Sequence, residues 1–106
     1  MAKPYAIDCP VARTLDLIGE RWTILILRDL LLAGPRRYQD FVESFRDISP
    51  NTLSDRLKSL EAGGIVERHF YSEHPPRAEY RLTAKGKELG PVLKALRTWG
   101  TKHTKA

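Results

Sequence analysis

Between residues 49 and 58 the chain gathers hydrogen-bonding side chains: Ser49, Asn51, Thr52, Ser54, Asp55, Arg56 and Lys58. Their chemistry is recognition, because no nucleophile stands beside a base and no carboxylate pair or glycine-rich phosphate loop accompanies them. An asparagine can bond an adenine edge bidentately and an arginine a guanine edge. Serine and threonine serve bases or phosphates and are short enough for close approach. Asp55 opposes phosphate, and the sequence leaves open whether it reads a cytosine or only orients its helix.

Such side chains need a rod to hold them. Ser49 can accept from the free amides of a first helical turn, and Pro50 fits the next position, where a missing N–H costs nothing. Gly63 and Gly64 supply the left-handed residue that stops the helix. Leu53, Leu57 and Leu60 recur at helical spacing, so a helix over about 49–62 buries them and turns Asn51, Asp55 and Lys58 outward, with Thr52, Ser54, Arg56 and Ser59 flanking. An ordinary solvated helix would look the same, so its neighbours matter. Residues 36–45 predict a preceding helix with Tyr38, Phe41, Val42 and Phe45 inward and Arg36 and Arg37 at its start. With the short link 46–48, the two fit a helix-turn-helix whose first helix crosses a nucleic-acid backbone.

After Gly64 the period changes to two. Val66, Arg68 and Phe70 alternate with Glu67, His69 and Tyr71, and Ala78, Tyr80 and Leu82 with Glu79 and Arg81, which predicts a hairpin over about 65–82. Its tip, Ser72 to Arg77, is expected to be longer than a two-residue turn and to carry His74 and Arg77 toward a minor groove or a phosphate. That is a wing. Upstream, a helix is expected from Asp8 or Cys9, with Pro10 at its first position, Val11, Leu15 and Ile18 on one face, and Gly19 at its end. Residues 22–32 are apolar nearly all round and predict a central helix covered by the first and last segments, with or without a second subunit. Thr83 caps a last helix over about 83–99, in which Leu89, Val92, Leu93 and Leu96 are apolar; Gly90-Pro91 bends or restarts it, and the tail from Gly100 is expected to fray. The whole is one domain, 1–106, mainly α with a small β-hairpin wing.

A formal charge of +5 favours a polyanionic partner. A single cysteine excludes an internal disulfide, and no leader or membrane-length apolar span is present, so a cytoplasmic setting is expected. His69, His74 and His103 lack ligand spacing; no metal or cofactor is expected. Cys9 has two readings. At a helix start the dipole favours a reactive thiolate, with Arg13 adding to this and Asp8 opposing it. A lone cysteine is also a common small hydrophobe.

The sequence resembles the HxlR-type winged helix-turn-helix regulators, relatives of the MarR-type repressors. The resemblance rests on Cys9-Pro10-Val11, Ile18 to Thr23 and on through Leu31, Gly34 to Tyr38, Ile48 to Ser54 with Arg56-Leu57, and Pro75-Pro76-Arg77 with Glu79-Tyr80 and Leu82-Thr83. Glu20 departs from it, standing where a glycine or another small residue is expected. The resemblance implies a homodimer joined mainly by the terminal helices, recognition helices in successive major grooves of a near-palindromic operator on double-stranded DNA, and responses to oxidants, electrophiles or small ligands. The resulting expectation is a non-enzymatic, sequence-specific transcriptional regulator that contacts DNA through Arg36, Arg37, Tyr38, Ser49, Pro50, Asn51, Thr52, Ser54, Asp55, Arg56, Lys58, His74 and Arg77, with Cys9 as a redox candidate and no membrane partner. The alternative is a winged helix reused as a protein-interaction module.

Overall fold

The computed structural model describes residues 8–105. Its elements run α1 (Pro10–Ile18), α2 (Arg21–Ala33), β1 (Arg36–Arg37), α3 (Tyr38–Ser44), α4 (Pro50–Ala62), β2 (Val66–Glu73), β3 (Pro76–Leu82), α5 (Ala84–Lys87) and α6 (Gly90–His103). The three strands form one antiparallel sheet in the order β1-β3-β2. This is a winged helix-turn-helix: α3 and α4 lie under the sheet, and the β2–β3 hairpin projects beside them.

The core is where the apolar stripes meet. Ile26, Leu27 and Leu30 of α2 join Phe41 and Phe45 around α3, Leu53, Leu57 and Leu60 of α4, and Ile65 and Val66 at the start of the hairpin. Phe41 presents its ring to Phe45 on one side, at 6.4 Å, and to the edge of Tyr80 on the other, at 6.1 Å. The helix-turn-helix is thereby fastened to the middle strand by offset and edge contacts that aromatic rings prefer.

Caps explain most boundaries. Cys9 Sγ accepts from the Ala12 amide at 3.4 Å, Ser49 Oγ from Thr52 at 3.1 Å, and Thr83 Oγ1 from Gly86 at 3.0 Å. Glu20, unexpected at its position, is the N-cap of α2: its carboxylate accepts from the Thr23 amide at 3.0 Å and from the Thr23 hydroxyl at 3.3 Å. Gly64 takes the left-handed φ of 72° that ends α4. The last helix is restarted at Gly90-Pro91, as expected of a proline at that position.

Four local expectations are corrected. Arg36 and Arg37 precede the first turn of the helix and are not part of it; they are extended and pair with Tyr80 and Glu79 along the free edge of β3, and Arg37 is the N-cap of α3, its amide donating to the Asp40 carboxylate at 2.9 Å. The hairpin tip is not a long loop. Glu73 pairs with Pro76, leaving His74 and Pro75 as the turn, after a bulge between Phe70 and Ser72 shifts the register by one residue. The tail does not fray at Gly100, since α6 continues to His103, where Lys102 and His103 sit favourably at the negative end of its dipole. Finally, α1 packs chiefly on α4, with Leu17 reaching Gly63, while α6 lies along α2, with Leu31 reaching Gly90. Among the described residues, the last segment therefore covers the central helix on that side.

Candidate nucleic-acid interface

The α4 helix divides its circumference as its sequence spacing requires. Leu53 and Leu60 are fully buried and Leu57 is 1 % exposed, whereas Asn51, Asp55, Lys58 and Ser59 stand in solvent. Ser49 and Pro50 are exposed at the helix start, and Thr52, Ser54 and Arg56 are half-buried at the edges of the outer face. The Ser49 hydroxyl donates to Thr52 Oγ1 at 2.8 Å, which holds the threonine as a donor for an incoming group. Arg56 has its Nε buried without a partner among the described residues.

Tyr38 is a joint between the two helices as well as an edge of the face. Its hydroxyl donates to the Pro50 carbonyl at 3.3 Å and lies 3.5 Å from Ser54 Oγ, tying the start of α3 to the first turns of α4. Behind it opens a polar cleft of about 240 Å³ between α4 and the sheet, lined by Tyr38, Ser54, Lys58, Glu61, Arg68 and Tyr80. Burial first, and then the nearby Glu61 carboxylate, raises the Tyr80 phenol above its ordinary value of 10.0; Arg68 acts in the opposite sense.

The two arginines of β1 part company. The Arg36 guanidinium turns inward, where Nη2 donates to Ser44 Oγ at 2.6 Å and the Asp40 carbonyl at 3.3 Å and lies 3.4 Å from the Asp29 carboxylate. Asp29 is itself a buried charge on the apolar α2, and Arg28 meets its other oxygen at 3.2 Å. Arg37 is exposed and lies over the Tyr71 ring at 4.7 Å. On the wing, His74 is exposed at the turn and Arg77 beside it at the start of β3.

Arg37, Asn51, Asp55, Lys58, His74 and Arg77 are thus all exposed, Arg37 over Tyr71 of the hairpin, whereas Arg36 is set apart in an internal network. Sequence reasoning missed Glu61 and Arg68, whose carboxylate and Nε meet at 3.0 Å and tie α4 to β2. Their separation of seven residues spans a helix end and a strand start, so no single period links them. Asp29 left a readable signal: an acid inside an apolar run asks for a partner. Among the described residues no cluster of histidine, cysteine, aspartate or glutamate could hold a metal.

A winged helix-turn-helix with a polar, outward recognition helix defines a class of DNA-binding transcriptional regulators. The chain belongs to the family described as HxlR-like helix-turn-helix, which it matches over residues 17–106. It is 43% identical over 93 residues to an uncharacterized HTH-type transcriptional regulator of Synechocystis sp., covering 88% of this chain and 68% of that protein. To the uncharacterized HTH-type transcriptional regulator YdeP of Bacillus subtilis it is 37% identical over 95 residues, 90% of this chain and 73% of the relative. Among solved structures it is similar to the redox regulator HypR in its oxidized form, with a TM-score of 0.84 and 35% identity over 92% of this chain and 100% of that one. The reduced form of the transcriptional regulator YodB from B. subtilis is also similar, with a TM-score of 0.75, 36% identity, and coverage of 92% and 95%. The family is one of regulators and not of enzymes.

Proposed function

We propose that the chain regulates transcription as a homodimer on a near-palindromic operator, with one α4 in each of two successive major grooves and the wings in the flanking minor grooves. The observation that carries this reading is the division of α4: three leucines anchor it inward, and Asn51, Asp55 and Lys58 are left free opposite them. Asn51 and Arg56 are assigned to base edges, Ser49, Thr52, Ser54 and the Pro50 turn to close approach, Asp55 to cytosine or helix orientation, and Lys58, Arg37, His74 and Arg77 to phosphates and the minor groove. Tyr38 fixes the angle between the two helices. Arg36 serves this surface from behind, holding α2 and α3 together.

The dimer is supported by apolar side chains left in solvent on the terminal and central helices: Val11 and Leu15 on α1, Leu32 at the end of α2, and Val92, Leu96 and Trp99 on α6. Leu32 and Leu96 line one hollow between α2 and α6, and Val92, Leu96 and Trp99 line another; a second copy would cover such apolar surface. A cytoplasmic setting goes with this reading; no described helix is long and apolar enough to cross a membrane.

Selection from random duplexes, followed by binding titrations of the selected site, tests the proposal. Asn51→Ala should cost about 1–3 kcal/mol on that site and little elsewhere, while Arg37→Ala should weaken every duplex and lower the salt slope by about one. Equal affinity of the parent for all sequences would refute it. Cys9, the only thiol in the chain, is the proposed point of an oxidant response, a reading supported by the likeness to the redox regulator HypR. It caps α1 and is partly exposed, and one thiol per chain limits a disulfide to the partner protomer or a small thiol. Cys9→Ser should keep DNA binding and lose the oxidant response; a response that survives removes Cys9 from the mechanism.

A further inference from the structure

The wing carries two aromatic rings that the core does not use. Phe70 is 56 % exposed and Tyr71 43 %. Tyr71 lies under Arg37, which accounts for part of its surface, but Phe70 is different. Its strand face holds three successive rows. Val66 opposite Leu82 belongs to the core, Arg68 opposite Tyr80 reaches the polar cleft beside α4, and Phe70 opposite Ala78 comes next, outside the body of the domain. The Arg68 guanidinium carbon sits 5.8 Å from the centre of the Phe70 ring, and the Arg68 Nε is bonded to Glu61 at 3.0 Å. A chain of contacts therefore runs from the last turns of the recognition helix, through an ion pair and a cation over a ring, to an apolar group on the wing.

Resting on the regulator reading above, we propose that Phe70 is a DNA-contacting residue of the wing, laying its ring against the apolar sugar edges of the minor groove next to the base pairs that α4 reads. Three observations favour DNA as the occupant. The ring shares its face with the side of the hairpin turned to α4. Cations stand on that side: Arg68 on its own strand, with its guanidinium beside the ring, and Lys58 of α4, which lines the same cleft as Arg68. Glu61 on that face is paired with Arg68, so the charge of Lys58 stands uncompensated there and the surface beside the ring suits a polyanion. Glu73 lies farther out beside the turn, and Glu79 is held by Arg81 at 2.6 Å. Minor-groove binders present apolar side chains, phenylalanine among them, to the groove, where they add contact area without a phosphate bond.

This assignment separates two quantities. Burying the ring should contribute affinity without releasing counterions, so Phe70→Ala should weaken binding to the selected site about tenfold and leave the salt slope unchanged. Phe70→Leu should recover part of the loss, and hydroxyl-radical footprints should lose protection of the flanking minor groove while keeping that of the major-groove half-sites. His69→Ala, at an exposed position on the opposite face of β2, controls for general damage to the wing, and sedimentation of each variant reads the assembly state. If the parent is selective yet Phe70→Ala binds as tightly with the same footprint, this assignment fails and the regulator reading stands. If the Phe70 variants change assembly instead of the footprint, the ring belongs to a protein contact and the assignment fails. A parent that selects no sequence overturns both.

Discussion

Arg36→Ala is the sharpest test of how the molecule is built, because the residue type suggests a phosphate contact and the fold places it elsewhere. Its side chain is 23% exposed and that of Asp29 is 11%. Removing the guanidinium takes a donor from Ser44 and from the Asp40 carbonyl and leaves Asp29 with Arg28 alone, at 3.2 Å and half in solvent. Breaking a buried pair by deleting one partner costs about 3–5 kcal/mol, and the surviving Arg28 contact reduces this to about 2–3 kcal/mol here. For a domain of this size each kcal/mol moves the midpoint by about 4–8 °C, so Tm should fall by roughly 10–20 °C. The assay is thermal denaturation by circular dichroism at fixed protomer concentration, paired with DNA titrations over a range of salt. The salt slope should match the parent's at temperatures where the variant is folded. Replacing both charges, Asp29→Leu with Arg36→Met, should recover most of the loss, since no unpaired charge stays buried. A single variant that melts like the parent while its salt slope drops by about one would refute the reasoning and return Arg36 to the DNA surface.

Other consequences follow from the same geometry. Glu20→Ala removes the cap of α2 and should cost about 1 kcal/mol in chemical denaturation, with Glu20→Asp restoring part of it. Gly86→Ala would place a Cβ 2.2 Å from the Ile65 carbonyl oxygen, so it should destabilise by about 1–3 kcal/mol or push α5 off the sheet, read as lost amide protection at Thr83 and Gly86. Tyr80 holds its proton more tightly in the folded state than in the unfolded chain, chiefly through burial, so its contribution is fully present below the ordinary phenol value of 10.0 and is lost as pH rises through the raised one. Denaturation midpoints of the parent should therefore fall more steeply above pH 10 than those of Tyr80→Phe; identical slopes would show that the phenol is not held this way.

The sequence determined what depends on local chemistry. Ser49-Pro50 and the glycines punctuate α4, the spacing of Leu53, Leu57 and Leu60 chooses its buried side, and the remaining residues become the reading face by default. Alternation in 66–71 and 78–82 likewise announced the wing. Tertiary structure decided matters whose partners are distant in the chain. Only the free edge of β3 draws Arg36 and Arg37 into a strand, and only Asp29 and Ser44 turn one of two adjacent arginines inward while its neighbour stays in solvent. The same holds for Arg68, which has no local reason to choose Glu61 and finds it because the sheet packs beside α4. Helical and strand periods are short-range consequences of backbone geometry and can be read along the chain, whereas the pairing of a charge depends on which elements the core brings together, and that is fixed only when the chain has folded.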